Sequence, residues 1–406
     1  MKYQAINFLT GTVFFCGLLA MNGVVLMAEE TTLSIEQIDK NLAAKPADST
    51  GMVWFTPNES NIEVDGFAWY NNDNLYYRLP AEEAAKVSEG VSHLAKHTAG
   101  GQLRFRSDCR KLAITVDLGT LELMAHMAPT GSSGFDLYIG EPGKQRFYTS
   151  SRPNIYGGGS PTFSWEFFTF PDSEPRQMRE YTLNFPLYNS VKSISLGVDA
   201  GSRVEPPTPY VDNRPIVVYG TSITQGGCAS RPGMAYTNIL SRRMNRPFYN
   251  FGFSGNGKGE PAMAEILASI ENPAMFILDY EANAMGVIDQ TLPDFISILR
   301  AKHPETPILV VSGIRFSYEA TGTTPGEDNP RSENYQKWRD IQEQNVVERR
   351  EQGDKNIYFF DGGYLLPLEY YDEVTVDGIH PTDLGFLKMA EALEPAIADI
   401  LNGKAE

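Results

Sequence analysis

The sequence predicts an α/β protein in two parts: a parallel sheet covered by helices on both faces, preceded by a β-sandwich of jelly-roll type. Three observations carry this. From about residue 50 to 200 the chain is rich in short alternating apolar and polar runs separated by turn clusters. Beyond about residue 210, apolar strand-like runs alternate with helical ones. Between them, Arg203-Val-Glu-Pro-Pro-Thr-Pro is a proline-rich linker candidate.

In the first part, Gln102-Leu-Arg-Phe-Arg, Leu112-Ala-Ile-Thr-Val-Asp-Leu, Phe163-Ser-Trp-Glu-Phe-Phe-Thr-Phe and Tyr181-Thr-Leu-Asn-Phe read as strands. Many short strands with Gly, Pro, Asn and Asp turns favour a sandwich, and one helical run, Ala81 to Ala95, interrupts them. In the second part the strands are Ile216–Tyr219, Met275–Asp279, Ile308–Val311 and Ile357–Phe360. The helices are Ala235–Met244, Pro261–Ile270, Ile288–Lys302, Glu333–Gln352 and Asp383–Leu401. Such alternation means βαβ units, whose crossover helices cover both faces of the sheet.

The N-terminus has a charged head at Lys2, an apolar run from Phe8 to Met27 and a small residue, Ala28, before Glu29-Glu30. That is the build of a secretory leader, and the flanks favour cleavage after Ala28 over a retained membrane anchor. The expected organisation is a leader at 1–28, a sandwich at 29–205 and an α/β domain at 214–403. Export to the periplasm or the medium follows, without stable membrane association after cleavage. Net charge is −17 and no basic stripe is visible, which argues against a nucleic-acid partner. Beyond the leader only Cys109 and Cys228 remain, so a disulfide framework is not expected. Oligomeric state is not legible.

The turn after the first strand of the second half, Val217 to Gly227, reads VVYGTSITQGG. It lacks the spacing and the lysine of a Walker loop, and it fails G-x-G-x-x-G and G-x-S-x-G. Ser222 sits at the carboxyl end of a parallel strand, where α/β sheets gather ligands. On the loop alone, helix capping and nucleophile remain equally open. Of five histidines, His93 and His97 lack the Glu of a His-Glu-x-x-His zinc helix and read as surface or boundary residues. His126 reads as packing within a strand, and His303 as a helix end. His380 differs: in Val376-Asp-Gly-Ile-His-Pro-Thr-Asp, Asp377 stands three residues ahead, able to fix the imidazole tautomer. Ser222, His380 and Asp377 together supply nucleophile, base and orienting carboxylate. Gly255, in Asn250-Phe-Gly-Phe-Ser-Gly, and Asn283 are candidate oxyanion donors, with simple turn chemistry as the alternative.

These blocks resemble the SGNH (GDSL-type) hydrolase superfamily: Gly220-Thr-Ser-Ile, Asn250-x-Gly-x-Ser-Gly255, a block ending at Asn283, and Asp377-x-x-His380. Gly134-Phe-Asp-Leu-Tyr138 is similar to the GxDLY motif of a subgroup with an N-terminal module. The resemblance implies a three-layer α/β/α hydrolase domain behind a β-sandwich. It implies Ser222 as nucleophile, His380 as base and Asp377 as orienter. The oxyanion hole would be the N–H groups of Ser222 and Gly255 plus Asn283, with no metal or organic cofactor. Two departures stand out: Thr221 replaces the usual Asp, and Glu281 stands where glycine is usual. Glu281 either turns into a hydrogen-bond network, as expected, or touches substrate. Arg231 and Arg315 are further substrate-binding candidates, against a reading as surface ion pairs. Asp136 and Tyr138 read as a turn carboxylate and a packing residue. The expected activity is a serine esterase removing acetyl or other short acyl groups from carbohydrate. The alternatives are an acyltransferase using the same residues, or a glycan-binding protein with a lapsed hydrolase domain.

Overall fold

Alternation along the N-terminal strands sorts their side chains into two faces, and a computed structural model shows how these are used. It describes residues 47–57, 61–70, 75–155, 159–320 and 330–405; the expected leader at 1–28 lies outside them. Among the described residues the N-terminal part has ten strands, the last lying within the proline-rich segment: β1 Met52–Phe55, β2 Glu63–Asp65, β3 Gln102–Ser107, β4 Lys111–Leu118, β5 Asp136–Ile139, β6 Arg146–Ser150, β7 Thr162–Thr169, β8 Arg179–Asn184, β9 Val191–Asp199 and β10 Val204–Glu205. They form two antiparallel sheets, ordered β1-β9-β4-β7 and β10-β3-β8-β5-β6, with β2 also on β3. Leu112, Ile114, Val116, Ile194, Leu196 and Val198 of the first face Leu103, Phe105, Leu137, Tyr181 and Leu183 of the second in one apolar cluster. This is the expected sandwich.

The second half contains β11 Ile216–Gly220, β12 Phe248–Gly252, β13 Met275–Asp279, β14 Ile308–Val311 and β15 Ile357–Phe360, all parallel, in the order β12-β11-β13-β14-β15. Strand order reverses beside β11, so a crevice opens at the carboxyl ends of β11 and β13. Ile216, Val218, Ile277 and Leu309 pack on one face with the helices Tyr236–Met244 and Asp383–Leu401. Val217, Tyr219, Phe276, Leu278 and Val310 pack on the other with Pro261–Ala268 and Ile288–Lys302. The α/β/α layering is as expected. β12 is an addition to the strands read from sequence. Its Asn250 breaks the apolar run, yet it is buried and donates to Thr224 O at 2.6 Å and Thr237 Oγ1 at 3.0 Å. Among the described residues no helix is long and apolar enough to cross a membrane.

The helical run at Ala81 to Ala95 is two helices, Ala81–Val87 and Glu89–Leu94, divided at Ser88, whose side chain accepts from Val91 N. Ala84, Val91 and Leu94 do not serve the sandwich; they join Val217, Tyr219, Phe251 and Phe253 on the parallel sheet. Pro46–Glu406 accordingly packs as one compact unit.

A second tie runs through the Gly134–Tyr138 motif. Asp136 is fully buried and accepts from Asn184 Nδ2 at 2.7 Å, Gly233 N at 2.8 Å and Arg231 Nη1 at 2.8 Å. Arg231 also donates to Tyr138 Oη and lies 3.8 Å above the Phe147 ring. Asp136 therefore closes no local turn: it clasps a loop that follows the Ser222 turn. The guanidinium of Arg231, a substrate-binding candidate, is thus engaged by Asp136, Tyr138 and Phe147. Replacing Asp136 by Ala leaves the half-buried Arg231 guanidinium without its carboxylate and Asn184 and Gly233 without their acceptor, and chemical denaturation should show a loss of about 3 kcal/mol, with a smaller loss for Asp136→Asn.

Candidate active site

The turn that carries Ser222 is built by close backbone approach. β11 ends at Gly220, where an added Cβ would lie 1.9 Å from Thr224 Oγ1 and 2.5 Å from Asp279 O. At Gly252, closing β12, it would lie 2.2 Å from Gln225 N. The short helix Ser222–Gln225 starts at Thr221, whose hydroxyl accepts from Ile223 N at 3.2 Å, and stops at left-handed Gly226. Capping is thus the task of Thr221, at the position where the resemblance leads one to expect Asp. The hydroxyl of Ser222 is left to meet another partner.

That partner is His380. Its Nε2 lies 2.8 Å from Ser222 Oγ and its Nδ1 2.7 Å from Asp377 Oδ2. Asp377 Oδ1 accepts from the backbone N–H of His380 at 2.8 Å and of Ile379 at 3.0 Å. Partial burial raises the Asp377 carboxyl, but the hydrogen bonds from His380 and Ile379 win and hold it below its ordinary value. Asp377 therefore remains an anion that keeps a proton on Nδ1 and turns the Nε2 lone pair to the serine. The left-handed φ of +87° at Gly378 folds the loop back so that one short segment supplies both groups.

The expected oxyanion donors lie on the loops after β12 and β13. Gly255 is exposed, has φ +68° and would place an added Cβ against nothing within 4 Å. Asn283 accepts from Gly257 N at 3.3 Å through its amide oxygen, which leaves its NH2 for another acceptor. Glu281 settles in the network expected of it and not at a substrate surface. It is 2 % exposed, accepts from Gly313 N at 2.7 Å and is met by Gln342 Nε2. Arg315 stands in the loop after β14; its Nε is buried without a hydrogen-bond partner, and its guanidinium makes no ion pair among the described residues.

Three supporting residues were not read from the sequence. Gln225 is fully buried: its Oε1 accepts from Ser254 N at 3.0 Å, and its Nε2 donates to Leu187 O at 3.1 Å and His97 Nδ1 at 3.3 Å. It holds the residue next to Gly255. Arg78 is also buried, donating to the carbonyls of His97, Leu94, Asn250 and Gly252. Asp279, at the end of β13, accepts from Thr224 Oγ1 at 2.9 Å and Tyr236 Oη at 2.7 Å; burial raises it to about 7 against those hydrogen bonds. His97 is a correction: it is wholly buried beneath the site, not at a surface or boundary. His126 is another, standing exposed in a turn, its ring 5.5 Å from that of His380.

A parallel sheet of flavodoxin-like order, with a Ser-His-Asp chain at its reversal point, defines the class: an α/β/α ester hydrolase of SGNH type. Residues 213–398 match the GDSL-like lipase/acylhydrolase family, and residues 52–204 match the N-terminus of SGNH-hydrolase-type esterases, named for GxDLY. A solved structure from Bacteroides ovatus described as a GDSL-like lipase is 30% identical, with a TM-score of 0.76, covering 86% of this chain and 98% of that one. The chain belongs to the GDSL-like lipase/acylhydrolase family. At 17% identity and a TM-score of 0.66, the salicylyl-acyltransferase SsfX3 of a tetracycline biosynthetic pathway covers 88% of this chain and is itself covered completely. A family two carbohydrate esterase of Cellvibrio japonicus, 14% identical with a TM-score of 0.54, covers 86% of this chain and 98% of its own; these last two share the fold. Comparison with curated proteins gave no match.

Two outcomes follow. Gln225→Leu removes the acceptor for Ser254 N–H and frees the Gly255 loop; steady-state kinetics should show kcat falling about tenfold or more with KM little changed. Asp279 holds its proton in the folded protein from its ordinary 3.8 up to about 7, where the unfolded chain has lost it. Stability is therefore lost as pH rises through that window, and Asp279→Asn should flatten the slope of Tm against pH there.

Proposed function

We propose that this protein is an exported serine esterase that removes acetyl or other short acyl groups from carbohydrate through an acyl-enzyme on Ser222. The observation that carries the reading is the continuous hydrogen-bond chain Ser222–His380–Asp377. In the proposed cycle His380 Nε2 takes the proton as Ser222 Oγ attacks the ester carbonyl, and the imidazolium gains from the Asp377 anion beside it. The tetrahedral oxyanion is received by Ser222 N–H, Gly255 N–H and the Asn283 amide, each such donor contributing ~3 kcal/mol. His380 then protonates the departing alcohol. Water, activated by the same imidazole, releases the acid and restores Ser222.

The apolar leader pattern at 1–28 supports export, and the fold shared with a family two carbohydrate esterase supports a glycan alcohol. Arg315, without an ion-pair partner among the described residues, is proposed to meet an oxygen-rich or acidic part of that substrate. An acyltransferase on the same three residues is the second reading, favoured by the architecture shared with SsfX3 along nearly the whole of both chains. Product analysis with added sugars or alcohols separates them, since transfer yields a new ester and hydrolysis yields free acid. A lapsed hydrolase domain has little support beside an assembled serine, histidine and carboxylate.

Ser222→Ala should lower release of p-nitrophenol from a short-chain ester by roughly four orders of magnitude or more and abolish fluorophosphonate labelling. Retention of either at the wild-type level rejects the role of Ser222.

A further inference from the structure

The loop after the nucleophile turn places a thiol beside the catalytic imidazole. Cys228 Sγ, one ring nitrogen of His126 and one of His380 all lie within 4.8 Å of one another. Cys228 is buried, His380 half-buried and His126 exposed, so the group opens to solvent on one side. Cys228 holds φ +75°, a left-handed conformation that cysteine rarely takes, immediately after Gly226 and Gly227. An added Cβ on Gly227 would come 3.3 Å from His380 Cδ2 and 2.9 Å from Tyr188 Oη, so bare backbone is what lets the imidazole lie against this loop.

We propose that Cys228, His126 and His380 form a capture site for a borderline or soft divalent cation, Zn2+ or Cd2+, whose binding switches the enzyme off. One thiolate and two imidazoles suit such an ion, with the fourth position left to water. Tetrahedral bonds of that kind set ligand atoms about 3.3–3.8 Å apart, so the group closes by about 1 Å, within reach of rotation of the exposed His126 ring. His380 is already prepared as a ligand. Its Nδ1–H donates to Asp377, the arrangement that orients metal-bound histidines, and its Nε2, facing Ser222 Oγ at 2.8 Å, carries the lone pair. That lone pair also accepts the Ser222 proton, so coordination and catalysis exclude each other. On binding, the Cys228 S–H bond breaks, its electron pair forms the S–metal bond and the proton leaves to solvent. Without metal the thiol is no rival to Ser222, because burial, aided by the nearby Asp377 charge, pushes it up to about 12.

A second cluster, His93, His97 and Glu122, does not compete. Gln225 has its amide orientation fixed by Ser254 N and Leu187 O, and so donates to His97 Nδ1. The proton of neutral His97 is thereby left on Nε2, the nitrogen that faces Glu122 at 3.6 Å, which then lacks a lone pair for an ion.

The inhibitory part rests on the reading of His380 as the base; the binding part does not. Cd2+ is titrated into wild type, Ser222→Ala, Cys228→Ser, His126→Ala and His93→Ala, following the ultraviolet sulfur-to-cadmium band together with ester turnover. Wild type should gain the band at one equivalent and lose turnover in parallel. His93→Ala should behave as wild type, and Ser222→Ala should keep the band. His126→Ala should bind about tenfold or more weakly, and Cys228→Ser should lose the band; both should turn over normally without metal and resist inhibition. Cys228→Gly, which accepts a left-handed φ, replaces the serine variant if that fails to fold. A wild-type protein without the band, or a Cys228 variant inhibited at the wild-type cadmium concentration, overturns the proposal. A band that persists in a protein without esterase activity upholds the site and rejects the esterase reading.

Discussion

The whole site depends on three backbone segments touching without side chains between them. Gly220 at the end of β11 lies against Thr224 and Asp279, Gly252 at the end of β12 against Gln225, and Gly257 would place an added Cβ 2.2 Å from Gly220 O. A methyl group at any of these points would push apart the nucleophile turn and the loop holding Gly255. Close-packed interiors transmit such a displacement, and oxyanion donors act only within a few tenths of an ångström of the right place. The glycines therefore bring two strand ends near enough for the turn of Ser222 and the loop of Gly255 to lie side by side, as their proposed roles require.

The N-terminal part braces that contact. Arg78 caps the carbonyls of Asn250 and Gly252 at the end of β12 and those of Leu94 and His97 on its own side, with its guanidinium 4.6 Å above Phe253. Among the described residues no carboxylate pairs with it, and burial lowers it to about 9. A positive group held only by carbonyls stays in place because each oxygen needs a donor that the strand end cannot supply. The Asp136–Arg231 pair makes the corresponding tie on the far side of the nucleophile turn. Between them, Ser222–Gln225 is held from both ends by residues more than 80 positions upstream.

What was legible in the sequence was what is local. Asp377 and His380 lie three residues apart, so one loop announces both, and the alternating strands and helices of the second half declare their layers by period. What escaped is long-range. Gln225 looks like a turn residue until Ser254 and His97 are brought to it, and the helices at 81–94 look like part of the sandwich because they stand among its strands. His126 is the plainest case. Its neighbours Leu123, Met124 and Met127 suggest an apolar strand, yet Leu123 is exposed and the segment is a turn laid beside His380. Hydrophobic composition without period gives no direction, and only the fold decides which side of the chain meets the imidazole.

Glu281 shows how a departure from a family pattern is absorbed. A carboxylate two residues from Asn283 threatens the oxyanion hole, since an anion there would oppose the charge that develops on the substrate. The chain turns it downward instead. Gly313 has no side chain to block the approach (an added Cβ would stand 2.7 Å from Glu281 Oε1), its N–H donates to the carboxylate, and Gln342 donates from the helix Pro330–Glu351. Burial raises Glu281 while the Gly313 hydrogen bond and the Arg339 charge pull it back, and the buried Arg339–Glu319 pair closes the network below. The carboxylate that seems misplaced in the motif thus fastens the end of β13 to β14 and the outer helix. Asn283, two residues on, is thereby fixed from beneath, which is what its proposed role as an oxyanion donor demands.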